Sequence, residues 1–323
     1  MKAIAITANG PALTDCPMPE PGPGDVLVRV HVCGLNRADT LIAAGHMHGS
    51  QGGVGTVIGM EWSGVVERVG AEVTDLAPGD RVMCSGRGGY AEFAMTHRSR
   101  AARIPDGLDF EAAATFPIAL QTMHDALVTH GGLKQGQSVL IQGASSGVGI
   151  MGMQIAKLLG AGIVIGTSTN AERRHRLTQF GADLALDSGD PGWPERVQAA
   201  TDGRGVDIIV DMVSGSAANQ NMQAAAILGR IVNVGRLGGN SAPFDFDLHA
   251  LKRLSYIGVT FRTRSVVEVA EINRRMQADL WTALGAGQLR MPIDRRFPLQ
   301  EGVAALEHMR ANKHFGKIVL TVA

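Results

Sequence analysis

Residues 138–160 constrain the fold more than any other stretch. Ser138-Val139-Leu140-Ile141-Gln142 is a short apolar run, Gly143-Ala144-Ser145-Ser146-Gly147-Val148-Gly149 is rich in glycine, and Ile150 to Leu159 resumes with apolar residues at helical spacing. That order predicts strand, tight turn, helix. Small residues in such a turn let backbone approach a ligand closely. The free N–H groups and roughly half a positive charge at a helix start then favour an anion, so the turn suits a pyrophosphate. The spacing departs from the standard dinucleotide fingerprint: Ala144 and Ser146 stand at its first two glycine positions, and only Gly149 matches the third. A plain strand-to-helix turn of any α/β protein would begin in the same way.

The following residues supply context. Gly162 to Thr167 reads as a second buried strand, and Asn170 followed by Ala171 to Phe180 and Gly181 reads as a helix with an N-cap and a terminal glycine. Further apolar runs fall at Leu184 to Leu186, Val206 to Val210, Arg230 to Val234 and Ser255 to Phe261, with helical segments near 194–201 and 216–228. Strands alternating with helices predict an α/β fold with a doubly wound parallel sheet of about six strands, the dinucleotide-binding arrangement.

The region before residue 120 has a different character. Short β-type runs (Val26 to Val32, Gly64 to Val69, Arg81 to Met83, Tyr90 to Ala94) alternate with Gly and Pro turns, as in an all-β, barrel-like region. A helix is expected from Gly107-Leu108-Asp109-Phe110-Glu111, interrupted at Pro117, with a linker near 118–130. After Phe261 come an amphipathic segment from Val266 to Leu284, Pro292 to Phe297, a helix over 299–310 and a closing strand, Lys317-Ile318-Val319-Leu320.

Thirty basic and thirty acidic residues cancel, and no block of like charge stands out. That argues against nucleic acid or an anionic membrane as partner. Met1 to Ile6 is too short for a signal peptide's apolar core, and no run approaches the eighteen or so apolar residues of a span. A cytoplasmic location is therefore expected. Cys16, Cys33 and Cys84 lack CxxC spacing, which disfavours a disulfide framework or a cysteine zinc site.

Seven stretches in order carry a resemblance: Gly24 to Val30, Gly34-Leu35-Asn36-Arg37-Ala38-Asp39, Gly59-Met60-Glu61-Trp62-Ser63-Gly64-Val65-Val66, Gly79-Asp80-Arg81-Val82, Gly89-Tyr90-Ala91-Glu92, the Gly143 to Gly149 turn, and Gly316-Lys317-Ile318-Val319-Leu320. Over nearly its whole length the chain resembles the zinc-free quinone oxidoreductase (zeta-crystallin-like) branch of the medium-chain dehydrogenase/reductase superfamily. The resemblance implies a GroES-like β-barrel domain over 1–121, completed by 262–323, and a Rossmann domain over 122–261. It also implies a cofactor between them and a homodimer through the sixth strand.

Zinc-dependent relatives hold their catalytic metal with cysteine and histidine. The matching positions here are Asn36, Met60 and Ile118, which cannot form a thiolate–imidazole site, so no catalytic metal is expected. Glu61 remains as a lone carboxylate beside Trp62, read as a hydrogen-bonding structural group. His46, His48, His97, His124 and His130 are scattered and read as ordinary surface or core residues. Without a Lewis acid, a ketone or alcohol loses several kcal/mol of stabilisation, whereas a quinone accepts hydride readily once positioned. The resemblance implies Asn36 and Thr122 as catalytic residues at the nicotinamide end. A capped turn and a plain helix residue are the alternatives. Met47 stands between His46 and His48 where the family commonly has a tyrosine.

Cofactor choice follows from the second strand's end, Thr167-Ser168-Thr169-Asn170-Ala171-Glu172-Arg173-Arg174, which is hydroxylic and then basic. An acid there would favour NAD, and an Arg accommodates a 2′-phosphate. Arg173 is therefore the expected NADP contact, with Thr167 and Ser168 as hydroxyl donors, unless Arg173, Arg174 and Arg176 form a solvated helix face. The cofactor site is expected to comprise Asn36, Ala144, Ser145, Ser146, Gly147, Val148, Gly149, Thr167, Ser168, Arg173, Val234, Gly235 and Phe261. Arg236 and Arg264 either approach it or make salt bridges. The expected activity is zinc-independent, NADPH-dependent reduction of a quinone or activated conjugated carbonyl. Reduction of a 2-enoyl thioester or alkenal is the enzymatic alternative, and a non-enzymatic NADPH-binding structural or sensor role is the other.

Overall fold

The computed structural model describes residues 1–49 and 51–322. Two compact units divide the chain: Met1–Ile118 with Phe261–Ala323, and Ala119–Thr260. Phe261 falls in the first unit rather than closing the second, because the strand expected to reach it ends at Gly258.

In the first unit the main sheet runs Ile293–Pro298, Lys317–Thr321, Asp25–Gly34, Glu61–Val69, Arg81–Ser85, Ala101–Arg103, and Phe93–His97 also pairs with Asp25–Gly34. Pairing is antiparallel except between Ile293–Pro298 and Lys317–Thr321. A hairpin, Lys2–Thr7 with Gly10–Asp15, completes the β structure. Alternating inward residues bury Ile4, Val28, Trp62, Tyr90, Leu306 and Ile318 in one core. The expected amphipathic segment is the helix Val266–Gly285, capped by Ser265 and Glu268 and burying Val269, Ile272, Met276 and Leu280.

The second unit is a six-stranded sheet in the order Leu184–Leu186, Ile163–Thr167, Ser138–Ile141, Val206–Asp211, Ala225–Asn233, Ser255–Gly258, and every pair is parallel. This doubly wound order reverses beside Ser138–Ile141, and ligands of such sheets gather at that reversal, beyond the strands' carboxyl ends. Leu140, Ile165, Leu186, Trp193, Ile209, Met222 and Ile231 form the core.

Two expectations need correction. Pro117 does not interrupt a helix; it begins one, Pro117–His124, which continues as a π-helical segment, Asp125–His130, where a linker was expected. Proline suits a first helical turn, whose N–H has no helical partner. The helix expected over 216–228 is confined to Ala218–Ala224, and Ala225–Asn233 is strand. Ala225 pairs with Val206, residues 226–229 form an irregularity before pairing resumes at Arg230, and Leu228 takes a positive φ of 65°, which a helix cannot accommodate.

Candidate functional site

In the parallel-sheet unit, the turn after Ser138–Ile141 leads into the helix Gly147–Leu158, with Ser146 as N-cap. The Ser146 hydroxyl accepts from the Gly149 N–H at 3.1 Å and donates to the Gly143 carbonyl at 2.9 Å, closing the turn on itself. A Cβ on Gly149 would lie 2.6 Å from Ala144 Cα and 2.7 Å from the Gly143 oxygen. Only glycine lets the helix seat this close to the turn. The cap satisfies Gly149, while Gly147 and Val148 lead the helix with N–H groups that have no intrahelical acceptor. Such a cradle fits a pyrophosphate.

Thr167 and Ser168 end the neighbouring strand, and here one expectation fails. The Thr167 hydroxyl is fully buried; it donates to Gln142 Oε1 at 2.6 Å and accepts from the Gly143 N–H at 3.1 Å. Its single proton is committed, so Thr167 cannot donate to a ribose. Gln142 passes the chain on to Asn221 (2.8 Å), and Asn221 to Asp211 Oδ2 (2.9 Å). The other Asp211 oxygen accepts from the N–H groups of Val213 and Ser214 at 2.8 and 2.9 Å. Burial pushes the Asp211 carboxyl up, against these hydrogen bonds and the positive charge of Arg236. The polar chain thus ties the tips of three adjacent strands together. Ser168 donates to the Ser145 hydroxyl at 3.1 Å, joining the turn after Ile163–Thr167 to the glycine turn.

Arg173 and Arg174 both lie on the helix Ala171–Arg176. Arg174 donates to the Ser168 carbonyl at 2.8 Å and pairs with Asp187 at 3.0 Å, so it braces the turn from behind. Arg173 is half-buried in the first turn of Ala171–Arg176, where Asn170 caps its N–H at 2.9 Å. Val234 and Gly235 follow Ala225–Asn233, and both N–H groups bond the Asp211 carbonyl, at 2.8 and 3.1 Å. The glycine turn, Ser168 and Val234–Gly235 therefore share the carboxyl edge of one sheet. Thr122 belongs to this unit too, buried on the helix Pro117–His124.

Asn36 and Phe261 belong to the first unit. Phe261 lies under the Arg264 guanidinium, 5.5 Å from ring centre. Asn36 precedes the helix Arg37–Ala43, but its side chain does more than end a turn. Asn36 Nδ2 donates to Glu61 Oε1 at 2.9 Å, and Asn36 Oδ1 accepts from the Lys317 ammonium at 2.8 Å. The same ammonium donates to the Leu35 carbonyl at 3.1 Å and forms an ion pair with Glu61 Oε1. Glu61 Oε2 accepts the Ile118 N–H at 2.9 Å. Glu61 is structural and hydrogen-bonded, but it is not a lone carboxylate: it is fully buried opposite a lysine that is itself 3% exposed. Gly34 makes room for this cluster, since a Cβ there would meet the Ala114 carbonyl and Glu61 Oε1, the latter at 2.8 Å.

Lys317 is the member of this cluster that the sequence did not single out. Its only signal was a place in the closing Gly316 to Leu320 motif, and nothing local ties it to Glu61. Beneath the cluster, Asp39 Oδ2 accepts from the Asn36 N–H and the Tyr90 hydroxyl, both at 2.7 Å. Burial pushes the Asp39 carboxyl up to about 7 and raises the Tyr90 hydroxyl well above its ordinary value. Burial likewise pushes the Cys33 and Cys84 thiols up, which leaves them poor nucleophiles. Among the described residues no group of three or more His, Cys, Asp or Glu side chains could hold a metal ion, and no helix is long and apolar enough to cross a membrane.

Comparison with known proteins agrees with both halves of the fold. The family model of the alcohol dehydrogenase GroES-like domain matches residues 22–106, and that described as zinc-binding dehydrogenase matches 147–275. A mycobacterial quinone oxidoreductase is similar in structure, with 30% identity over 99% of each chain and a TM-score of 0.87. A mycobacterial protein complexed with NADPH shows 29% identity, covering 99% of this chain and 100% of its own, with a TM-score of 0.88. A highly reducing polyketide synthase of Alternaria alternata is 31% identical over 95% of this chain but only 12% of its own length. More generally, the chain spans 8–14% of the length of the curated relatives it matches. A Rossmann sheet with its phosphate turn, a GroES-like unit built from both flanks of the chain, and near-complete overlap with a quinone oxidoreductase lead to one conclusion: the chain belongs to the medium-chain dehydrogenase/reductase superfamily of oxidoreductases.

Proposed function

We propose that this protein is a zinc-independent, NADPH-dependent reductase of quinones or similarly activated conjugated carbonyls. The observation that carries the reading is the Glu61 carboxylate. One oxygen faces Lys317 and Asn36 and the other takes the Ile118 N–H, so the retained acid of the zinc motif is already neutralised from within the chain. A substrate that needs no Lewis acid suits such a site. NADPH, when bound, supplies the hydride. The residues proposed to hold it are the Gly147 and Val148 N–H groups with Ala144, Ser145, Ser146 and Gly149 at the pyrophosphate, Ser168 and Arg173 at the 2′-phosphate end, Val234 and Gly235 along the sheet edge, and Asn36, Thr122 and Phe261 toward the nicotinamide. The NADPH complex of a structural relative supports that choice of cofactor.

A second reading, reduction of a 2-enoyl thioester, draws support from the match to a segment of a reducing polyketide synthase. Tyr90 does not offer itself as a proton donor for it, because it is fully buried and donates to Asp39. NADPH oxidation measured with a quinone panel beside a panel of 2-enoyl thioesters and enals, each with and without a strong chelator, separates the readings. Quinone turnover that survives chelation is expected. Preference for enoyl thioesters supports the second reading, loss of activity on chelation refutes zinc independence, and silence on both panels favours a non-enzymatic NADPH-binding role. We further propose a homodimer across the outer strand Ser255–Gly258, supported by exposed Ile227, Leu228, Phe246 and Leu251 in the same unit. Sedimentation at micromolar concentration should give twice the 34.0 kDa chain mass, and a monomer would dispose of the idea.

A further inference from the structure

The three acceptors around Lys317 match the three donors of an ammonium: Leu35 carbonyl, Asn36 Oδ1 and Glu61 Oε1. This cation comes from a strand 281 residues after Asn36, yet it fixes that side chain completely. Lysine can only donate and an ionised carboxylate can only accept. A carboxamide between them has one allowed orientation, with Oδ1 to Lys317 and Nδ2 to Glu61. The reverse would set N–H against ammonium and oxygen against carboxylate. One Nδ2 hydrogen goes to Glu61, which leaves the second without an acceptor among the described residues. A positive charge on the amide oxygen also draws electron density toward it, and hydrogen-bond chains of this kind strengthen one another.

We propose that Lys317 is a positioning residue which, together with Glu61, locks and polarises the Asn36 carboxamide so that its remaining Nδ2 hydrogen is donated to a carbonyl oxygen of the substrate. The ammonium acts through the amide and does not touch substrate. It performs by relay part of what a metal would do directly, because negative charge growing on the substrate oxygen meets a donor backed by a buried cation. The inference rests on the reading that places Asn36 at the reacting end.

Lys317→Met alone leaves the Glu61 charge buried without its counter-ion, which is strongly destabilising. The working variant is therefore Lys317→Met/Glu61→Gln, which removes both charges and leaves the amide orientation undetermined. Asn36→Ala and the triple variant complete a cycle, read with the quinone that the wild type turns over best. Asn36→Ala should lower kcat by about a hundredfold, the usual loss of one oxyanion donor. The charge-free double variant should lower kcat by at least tenfold with KM and NADPH affinity little changed, and adding Asn36→Ala to it should bring kcat only to the level of Asn36→Ala alone, a further loss of tenfold or less. A merely structural role for Lys317 predicts instead that the two losses multiply, which would overturn the proposal. If Asn36→Ala leaves kcat intact, the placement of Asn36 itself is wrong. A readout independent of turnover is the Asn36 side-chain amide in nitrogen-15 spectra of the holoprotein. Its two proton shifts should be widely split in the wild type and converge in the charge-free variant; unchanged shifts would also overturn the proposal.

Discussion

Asp39 gives the protein a stability that depends on pH in an unusual direction for a carboxylate. The side chain is fully buried, one oxygen accepts from Asn36 N–H and Tyr90, and the other has no partner among the described residues. Burial raises its carboxyl to about 7, opposed by those two hydrogen bonds and the Lys317 charge and reinforced by Glu61. Below about pH 4 the folded and unfolded chains both hold the proton; between about 4 and 7 only the folded chain does; above that neither does. The stabilisation is therefore complete in acid and is lost as pH rises through that window. At 1.36 kcal/mol per pH unit, the loss is about 4 kcal/mol. Asp39→Asn cannot ionise, its oxygen can accept both existing hydrogen bonds, and its buried amide nitrogen adds a penalty of about 1–3 kcal/mol that does not vary with pH. Urea unfolding of both proteins from pH 4.5 to 8.5 provides the test. The stability of Asp39→Asn relative to wild type should climb by several kcal/mol toward pH 7 and then level, while the titrations of groups remote from Asp39 cancel in the difference. A difference that stays flat with pH would refute the reasoning.

Arg173→Ala should weaken NADPH by about ten- to a hundredfold, since a charge-assisted contact is worth about 1.5–3 kcal/mol and about 1.4 kcal/mol is tenfold. NADH affinity should scarcely move, and equal losses for both cofactors in a fluorescence titration would remove Arg173 from the phosphate site. Arg174→Ala should instead weaken NADPH and NADH alike, because Arg174 braces the Ser168 carbonyl against Asp187. Gly149→Ala drives a methyl into backbone at Ala144 and Gly143, and overpacking of this kind costs about 1–3 kcal/mol. A lower urea midpoint together with weaker cofactor binding is expected; wild-type values for both would show that the turn yields freely.

The second unit was far more legible in the sequence than the first. Ser138–Ile141, the glycine turn and Ile163–Thr167 are local signals, each written within a dozen residues, and the structure places them side by side at the sheet's reversal point. The Glu61–Lys317 pair spans 256 residues and depends on two sheet registers at once: Gly34 opposite Glu61, and Val319 opposite Gly34. No periodicity encodes such a meeting. Thr167 shows a different limit, because a hydroxyl at a strand end reads as a ligand donor until Gln142 is seen to take its proton. At Ala225–Leu228 composition pointed to helix, whereas the chain pairs once with Val206 and then bulges, with the Leu228 N–H bonded to the Lys252 carbonyl.

The discontinuity of the first unit also sets an order of events during synthesis. Asp25–Gly34 and Glu61–Val69 emerge early, but the strand that pairs beside them, Lys317–Thr321, follows the whole of the 119–260 unit. At about 5–20 residues per second, Glu61 waits roughly ten to fifty seconds for its lysine. Until then its carboxylate is better left in water than sealed inside. The contiguous parallel-sheet unit can meanwhile assemble from its own residues on the ribosome. The β unit remains an open sheet edge for that interval, and a nascent chain stalled before residue 317 would carry a folded nucleotide-binding half beside an unfinished one, the form in which chaperones would meet it.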